Sequence, residues 1–465
     1  MGWLREALDG LDGLGPRGGL ERFAASLDPA WIEEALEATG TTSVRRRKLD
    51  ATQAIWVVLG MAMYADRSIK AVVDHLGLVL GGNGSVASSA VTKARYRIGS
   101  EPLEWLFHKV AATWSTSGPV DGYKGLALYG LDGTSLLVDD SDANFEHFGK
   151  PGSKNGSSDA GYPQLRLVAL LNLSSRLLVG ASCGPYAKSE RALASELWSQ
   201  IPDNSLTIVD RGFIDLRVFH GITSGGANRH FMIRLKKNAV YEELEVLPDG
   251  TVLALIHPSN NARQADPDIR AIKVRIISYQ HEGGEPSRLA VTLFDHVLHS
   301  AKDLIALYHE RWELEICFDE IKTHLLERKE CLRSKKPDGV YQELWGLLLL
   351  YNLVRREMLL AAQARSIPAR RISFKSSLLW IRDFWTSAWM VVSPGNIPSA
   401  LAKLRADVLD NCLILPERRS TRRYPRHVKI KMTHYPRNRG RRGPPVPPAD
   451  EALAQPIDLK DETAK

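Results

Sequence analysis

The 465-residue chain has only four cysteines, Cys183, Cys317, Cys331 and Cys412, with no Cys-x2-Cys pair and no histidine at ligand spacing beside them. That pattern excludes a structural zinc site of the usual kind and fits a reducing compartment. No apolar run approaches the ~20 residues that a bilayer span requires. The longest, Leu344 to Val354, is interrupted by Asn352 and reads as a buried helix. The start, Met-Gly-Trp-Leu-Arg-Glu, lacks a secretory apolar run, and Gly2 lacks the downstream Ser or Thr of a myristoylation site. A cytoplasmic protein with no membrane partner is expected. The stretch Arg418 to Arg442 lacks Asp and Glu altogether while holding nine Arg and two Lys. Without those 11 cations, the 61 basic residues fall to 50 against 54 acidic ones, so the formal charge of +7 is a local feature. A concentrated cationic stretch implies a polyanionic partner, nucleic acid first and an anionic membrane second.

What is present begins with helices. Asp28 before Pro29 signals a helix start, and Gly40 follows its end. Asp50 with Gln53 three residues on makes a capping-box pattern ahead of Ile55, Trp56, Val58, Leu59 and Met63. Two more helical stretches, about 68–76 and 88–98, flank a Gly-rich loop at Gly81 to Gly84, and the second carries Lys93, Arg95 and Arg97. The spacing is loosely that of a helix-turn-helix, so these cations either contact DNA or form the solvated face of an ordinary bundle. From about 120 the period changes. Leu126 to Leu131, Gln164 to Asn172, Leu177 to Ala181 and Leu206 to Val209 read as strands, with a hairpin at Ser174-Ser175 and a helix over 189–200. Residues 230–299 are almost all strand-like, and 302–327 and 340–365 return to helix. The order predicts a mixed α/β fold with helical cover. After about 415 the chain is rich in Arg and Pro. Arg422, Arg423 and Arg426 are candidate phosphate contacts there, the alternative being a solvated tail.

The chemistry concentrates on three carboxylates. On a helical wheel, Leu307, Leu314, Phe318, Ile321 and Leu325 form a core stripe, and Tyr308, Arg311, Glu315 and Lys322 lie together on the border beside it. Arg311 and Glu315 alone would be an ordinary i,i+4 ion pair. The full spacing Tyr-x2-Arg-x3-Glu-x6-Lys is more specific. Asp132, in Leu131-Asp132-Gly133-Thr134, and Asp210, in Val209-Asp210-Arg211-Gly212, each end an apolar strand. A strand end is a rigid mount, and the adjacent glycine leaves room for a metal and a phosphate. Asp139, Asp140 and Asp142 are rival carboxylates in a loop-like stretch.

These motifs resemble the insertion-sequence-four family of DDE transposases. The resemblance covers about 120–390 and extends to the helical start and to the tail from Tyr424-Pro425-Arg426 to Tyr435-Pro436-Arg437. It implies a ribonuclease-H-like catalytic core with a β-rich insertion, preceded by an all-α N-terminal domain. The expected divisions are 1–117 (helical, DNA-binding), 118–232 (first part of the core), 233–300 (insertion), 301–400 (second part of the core with C-terminal helices) and 401–465 (basic segment and tail). It further implies cut-and-paste transposition by two Mg²⁺ or Mn²⁺ ions on Asp132, Asp210 and Glu315, with Tyr308, Arg311 and Lys322 contacting phosphates and DNA ends. The implied partners are double-stranded DNA, as terminal inverted repeats and target, and a second copy in a homodimer. Residues 230–299 hold no Trp, so candidates for a stacking aromatic from the insertion are residues such as Tyr241, Tyr279 and Phe294. A metal-dependent nuclease that does not rejoin strands and an inactive DNA-binding relic are the competing readings.

Overall fold

The computed structural model describes residues 27–42, 49–76, 87–115, 122–151, 161–280, 286–327, 331–391 and 396–412. The first helix among the described residues, Pro29–Ala38, opens where the Asp28 side chain accepts from the Ala30 N–H. The second, Ala51–Met63, opens on a reciprocal box between Asp50 and Gln53. Each cap satisfies amide donors that the first helical turn leaves without a partner. Helices Ile69–Leu76, Ser88–Ile98 and Glu101–Ser115 follow.

Among the described residues, ten strands form one sheet: β1 (Ala127–Val138), β2 (Gln164–Asn172), β3 (Leu178–Pro185), β4 (Ser205–Val209), β5 (Arg229–Arg234), β6 (Glu242–Val246), β7 (Val252–Ile256), β8 (Ile272–Tyr279), β9 (Ser287–Val291) and the short β10 (Cys331–Leu332). Their order is β3-β2-β1-β4-β5-β9-β8-β7-β6, with β10 paired to β1. β2 is antiparallel to β1 and β3, whereas β4 runs parallel to both β1 and β5. That first half is a ribonuclease-H-like sheet, legible in part from β4, whose five residues are all buried as expected of a strand covered on both faces. The strand-rich stretch expected as an insertion does not form a sheet of its own: β9 pairs with β5, Ile233 opposite Ala290, and β6–β9 extend the main sheet.

Alternation along the strands divides the core. Leu128, Leu136, Leu206 and Ile208 face one side, where they join the N-terminal helices and the helix Pro337–Ala364. Leu131, Val168, Val209 and Phe231 face the other, against Leu193 and Phe219. The N-terminal helices therefore share one continuous core with the sheet. The long helix packs against Ala51–Met63 and Glu101–Ser115, and Gly346 permits this close approach, since a Cβ there would stand 2.7 Å from Val58 Cγ1.

This packing corrects one expectation. Arg95 is 2% exposed and points into the protein, donating to Gln342 Oε1 (2.9 Å) and Ser334 Oγ (3.2 Å) with Glu343 3.8 Å away. It joins Ser88–Ile98 to the long helix and has no path to a phosphate. Lys93 and Arg97 are exposed, with Arg97 also donating to the Leu49 carbonyl at 2.9 Å. Arg422, Arg423 and Arg426 lie outside the described residues. Among the described residues, no helix is long and apolar enough to cross a membrane.

Candidate active site

β1 and β4 are in parallel register with Leu131 opposite Val209, so Asp132 and Asp210 leave the sheet side by side. Asp132 lies within a strand that continues to Val138, and its Oδ1 accepts from the Gly133 N–H at 2.8 Å. Asp210 follows the last residue of β4 and caps the single turn Arg211–Phe213, accepting from the Gly212 N–H at 3.0 Å. Glu315 arrives on the helix Trp312–Asp319. The glycine that seats this helix is Gly130, on the same face of β1 as Asp132: a Cβ there would lie 2.5 Å from Leu314 Cδ1. Leu314 rests on bare backbone, and the carboxylate beside it reaches the same guanidinium, that of Arg311, as the two aspartates.

Arg311 links all three acids. Its Nη2 donates to Glu315 Oε1 at 2.8 Å, while Nη1 stands 3.5 Å from Asp210 Oδ1 and 3.8 Å from Asp132 Oδ2. The four side chains line a cavity of about 650 Å³ together with Arg211, Arg234, Tyr279, Tyr308 and Trp312. Asp139, Asp140 and Asp142 do not line it. Among the described residues, no three His, Cys, Asp or Glu side chains converge at metal-ligand spacing; the three carboxylates each contact the Arg311 guanidinium instead. As a donor set, three carboxylates at one water-accessible cavity fit hard divalent cations such as Mg²⁺ and Mn²⁺.

The electrostatics reflect this crowding. Burial pushes the Asp132 carboxyl up to about 7; the charges of Asp210 and Glu190 add to the rise, and the Gly133 N–H and Arg311 oppose it. Burial works against the charge on Arg311 too, but its hydrogen bond to Glu315 and the charges of Glu315 and Asp210 outweigh that, and the guanidinium ends above its ordinary pKa. Burial pushes the Tyr308 phenol up to about 12, so it stays a neutral donor. Lys322 donates to Thr134 Oγ1 at 2.6 Å, two residues beyond Asp132 and on the same strand face.

Several features escaped the sequence. The space beside Gly133, expected to admit a metal and a phosphate, is filled by Glu190: a Cβ on Gly133 would meet its carboxyl carbon at 2.8 Å. The stretch read as one helix is Ala301–Tyr308, a tight turn at His309–Arg311, Trp312–Asp319, and then a wider π turn over Glu320–Leu325. Glu313 and Glu320, polar and so placed outside on any wheel, are buried and bound to Arg176 and Arg355.

Comparisons with known proteins identify the family. The profile "Insertion element 4 transposase N-terminal" matches residues 17–108, and "Transposase DDE domain" matches 130–353. "Transposase InsG for insertion sequence element IS4" of Escherichia coli (strain K12) is 34% identical over 413 residues, 88% of this chain and 92% of that protein. The chain belongs to the insertion-sequence-four family of DDE transposases. "Putative transposase InsZ" of the same organism is 34% identical over 251 residues, 53% of this chain and 82% of that protein. Among solved structures, a piggyBac transposase synaptic complex with hairpin DNA aligns at a TM-score of 0.45 and 10% identity, covering 86% of each chain. This DDE-type enzyme serves the transposition of an insertion sequence and depends on a divalent metal ion.

Proposed function

We propose that this transposase excises its element and joins it to new DNA with Asp132, Asp210 and Glu315 as the residues that would hold two Mg²⁺ or Mn²⁺ ions. The observation that carries the reading is the meeting of these three carboxylates, from two parallel strands and one helix, around a single guanidinium in one cavity. When bound, two such ions would activate the attacking oxygen and offset charge on the leaving one. Arg311 is placed to exchange its carboxylate contacts for phosphate oxygens when DNA enters. Tyr308 offers a neutral hydroxyl at the cavity wall, and Lys322, steadied by Thr134, offers a fixed cation on the β1 side. These contacts fix the backbone of the DNA and carry no sequence information.

The substrates on this reading are the element's terminal inverted repeats and a target duplex, handled by a homodimer on the bacterial nucleoid. The test uses the full chain with DNA ending in the element's own terminal repeat, a plasmid target and Mg²⁺. Cleavage at the repeat's boundary followed by joined product is expected, and Asp132→Ala should abolish both while still binding the end. Cleavage surviving in Asp132→Ala removes that residue from the mechanism, and cleavage without joined product reduces the enzyme to a nuclease.

A further inference from the structure

Behind the segment that carries Glu315 and Lys322 lies a second charged cluster, sealed from solvent. Glu313 is 1% exposed, two residues from Glu315 and on the opposite side of the helix. Its carboxylate takes Arg176 Nε. Glu320 opens the π turn, and its carboxylate receives Arg176 Nη1 at 3.4 Å, Arg355 Nη2, and the Tyr351 hydroxyl at 3.1 Å; Arg355 Nε donates in turn to the Tyr351 oxygen at 3.1 Å. Arg176 comes from the β2–β3 turn, where its own backbone is left-handed at φ 59°, and Tyr351 and Arg355 from Pro337–Ala364. The segment is thus tied from behind to both the sheet and the long helix, at one point before Lys322 and one before Glu315.

We propose that Arg176, Glu313, Glu320, Tyr351 and Arg355 are positioning residues for the active site: they fix the rotation of Trp312–Asp319 and the π turn, and so set Glu315 toward the aspartates and Lys322 toward Thr134. Two physical arguments support this. A buried ionic network is seldom more stabilising than an apolar one of the same shape, so its return is sought in geometry. A π turn is an unfavourable local geometry that needs outside support and recurs at functional sites. Here it begins at the residue with three buried donors, and Lys322 lies inside it. The inference rests on the metal-holding role proposed for Glu315.

The test is a Mn²⁺ titration of the full chain, read by the spin resonance of free Mn²⁺, with the Mn²⁺ dependence of end cleavage beside it. Glu320→Gln keeps the shape and removes the charge; Tyr351→Phe removes a single hydroxyl and keeps the charges balanced. A combined apolar variant, Arg176→Met, Glu313→Leu, Glu320→Leu, Tyr351→Phe and Arg355→Met, removes the network as a whole. Expected are Mn²⁺ binding about 10-fold weaker in Glu320→Gln and in the apolar variant, and about 3-fold weaker in Tyr351→Phe, in line with the loss of support behind metal ligands. The midpoint of Mn²⁺-dependent cleavage should shift by the same factors, with the plateau largely recovered at high Mn²⁺. Partial unfolding would lower the plateau without moving the midpoint. A folded apolar variant with the parental midpoint overturns the proposal; if neither charge variant folds, a parental midpoint in Tyr351→Phe does. Glu315→Gln is the control: if it leaves Mn²⁺ binding unchanged, the metal-holding reading has failed, not the positioning one.

Discussion

On one side of the segment Trp312–Leu325, three carboxylates gather around one guanidinium at an open cavity; on the other, two carboxylates meet two guanidinium groups in a sealed core. The sealed cluster is balanced because no ion from solvent can complete it. The open cluster carries surplus acid, held in place by the rest of the fold although burial raises the pKa of Asp132 and the charges of Asp210 and Glu190 add to the rise. Unbalanced charge that the scaffold maintains at a cleft is a mark of function, while balanced charge in the interior is a mark of architecture. The helix shows both within three residues, at Glu313 and Glu315.

The sharpest way to break this contrast is to remove one charge from each side. Glu315→Gln should lower end cleavage by about four orders of magnitude, the scale of losing a reacting-centre residue, while leaving the melting temperature unchanged or higher. Glu313→Gln should instead cost about 3–5 kcal/mol of stability, because two buried guanidinium groups, Arg176 and Arg355, then share the single carboxylate of Glu320. Single-turnover cleavage and thermal unfolding of both proteins decide; equal behaviour of the two variants would end the distinction. Next in size is Gly130→Val, which touches neither cluster. Its side chain would strike Leu314 and lift the helix from β1. A displacement near 1 Å is expected to cost about 100-fold in cleavage, with about 1–3 kcal/mol of overpacking. Full activity in Gly130→Val would show that the helix has slack.

A smaller effect concerns the surplus acid without any divalent ion. The Asp132 pKa is raised in the folded protein from 3.8 to about 7, so the folded state holds that proton more tightly than the unfolded chain does. The contribution of Asp132 is therefore most favourable below about pH 4 and is lost as pH climbs to about 7, beyond which it is flat. Asp132→Asn has no such dependence. Melts in a chelator from pH 5 to 8 should show the parent losing about 2–5 °C relative to the variant across that range. Parallel profiles would mean that burial does not hold the Asp132 carboxyl above its ordinary range.

How far the sequence speaks follows from the range of the forces involved. The Asp50–Gln53 box and the Asp28-Pro29 start act over a separation of three residues or fewer, and both helices begin where those signals stand. Asp132, Asp210 and Glu315 were found by local motif and meet in one cavity. What stayed hidden depends on distant partners. The burial of Glu313 and Glu320 requires Arg176 and Arg355, and no wheel drawn on 303–327 contains them. The joining of β9 to β5 is set by strand edges about 60 residues apart, where alternation says only that each strand has a buried face.

Arg95 and Lys93 pose the same comparison at its smallest scale, two cations on one helix that are indistinguishable in sequence. Arg95 serves Gln342 and Ser334 in the interior, and Lys93 stands in solvent two residues before it. If Ser88–Ile98 faces DNA, then Lys93→Gln should weaken binding evenly across sequences and reduce the slope of log affinity against log salt by about 1, one counterion no longer released. Arg95→Met should leave that slope unchanged, because a buried guanidinium displaces no counterion, and should lower the melting temperature through unmet Gln342 and Ser334. Binding isotherms at several salt concentrations separate the outcomes. An unchanged slope in Lys93→Gln would return the whole helix to the role already filled by Arg95, a fastening between the N-terminal bundle and the long helix, and would move the search for DNA contacts to other faces of the protein.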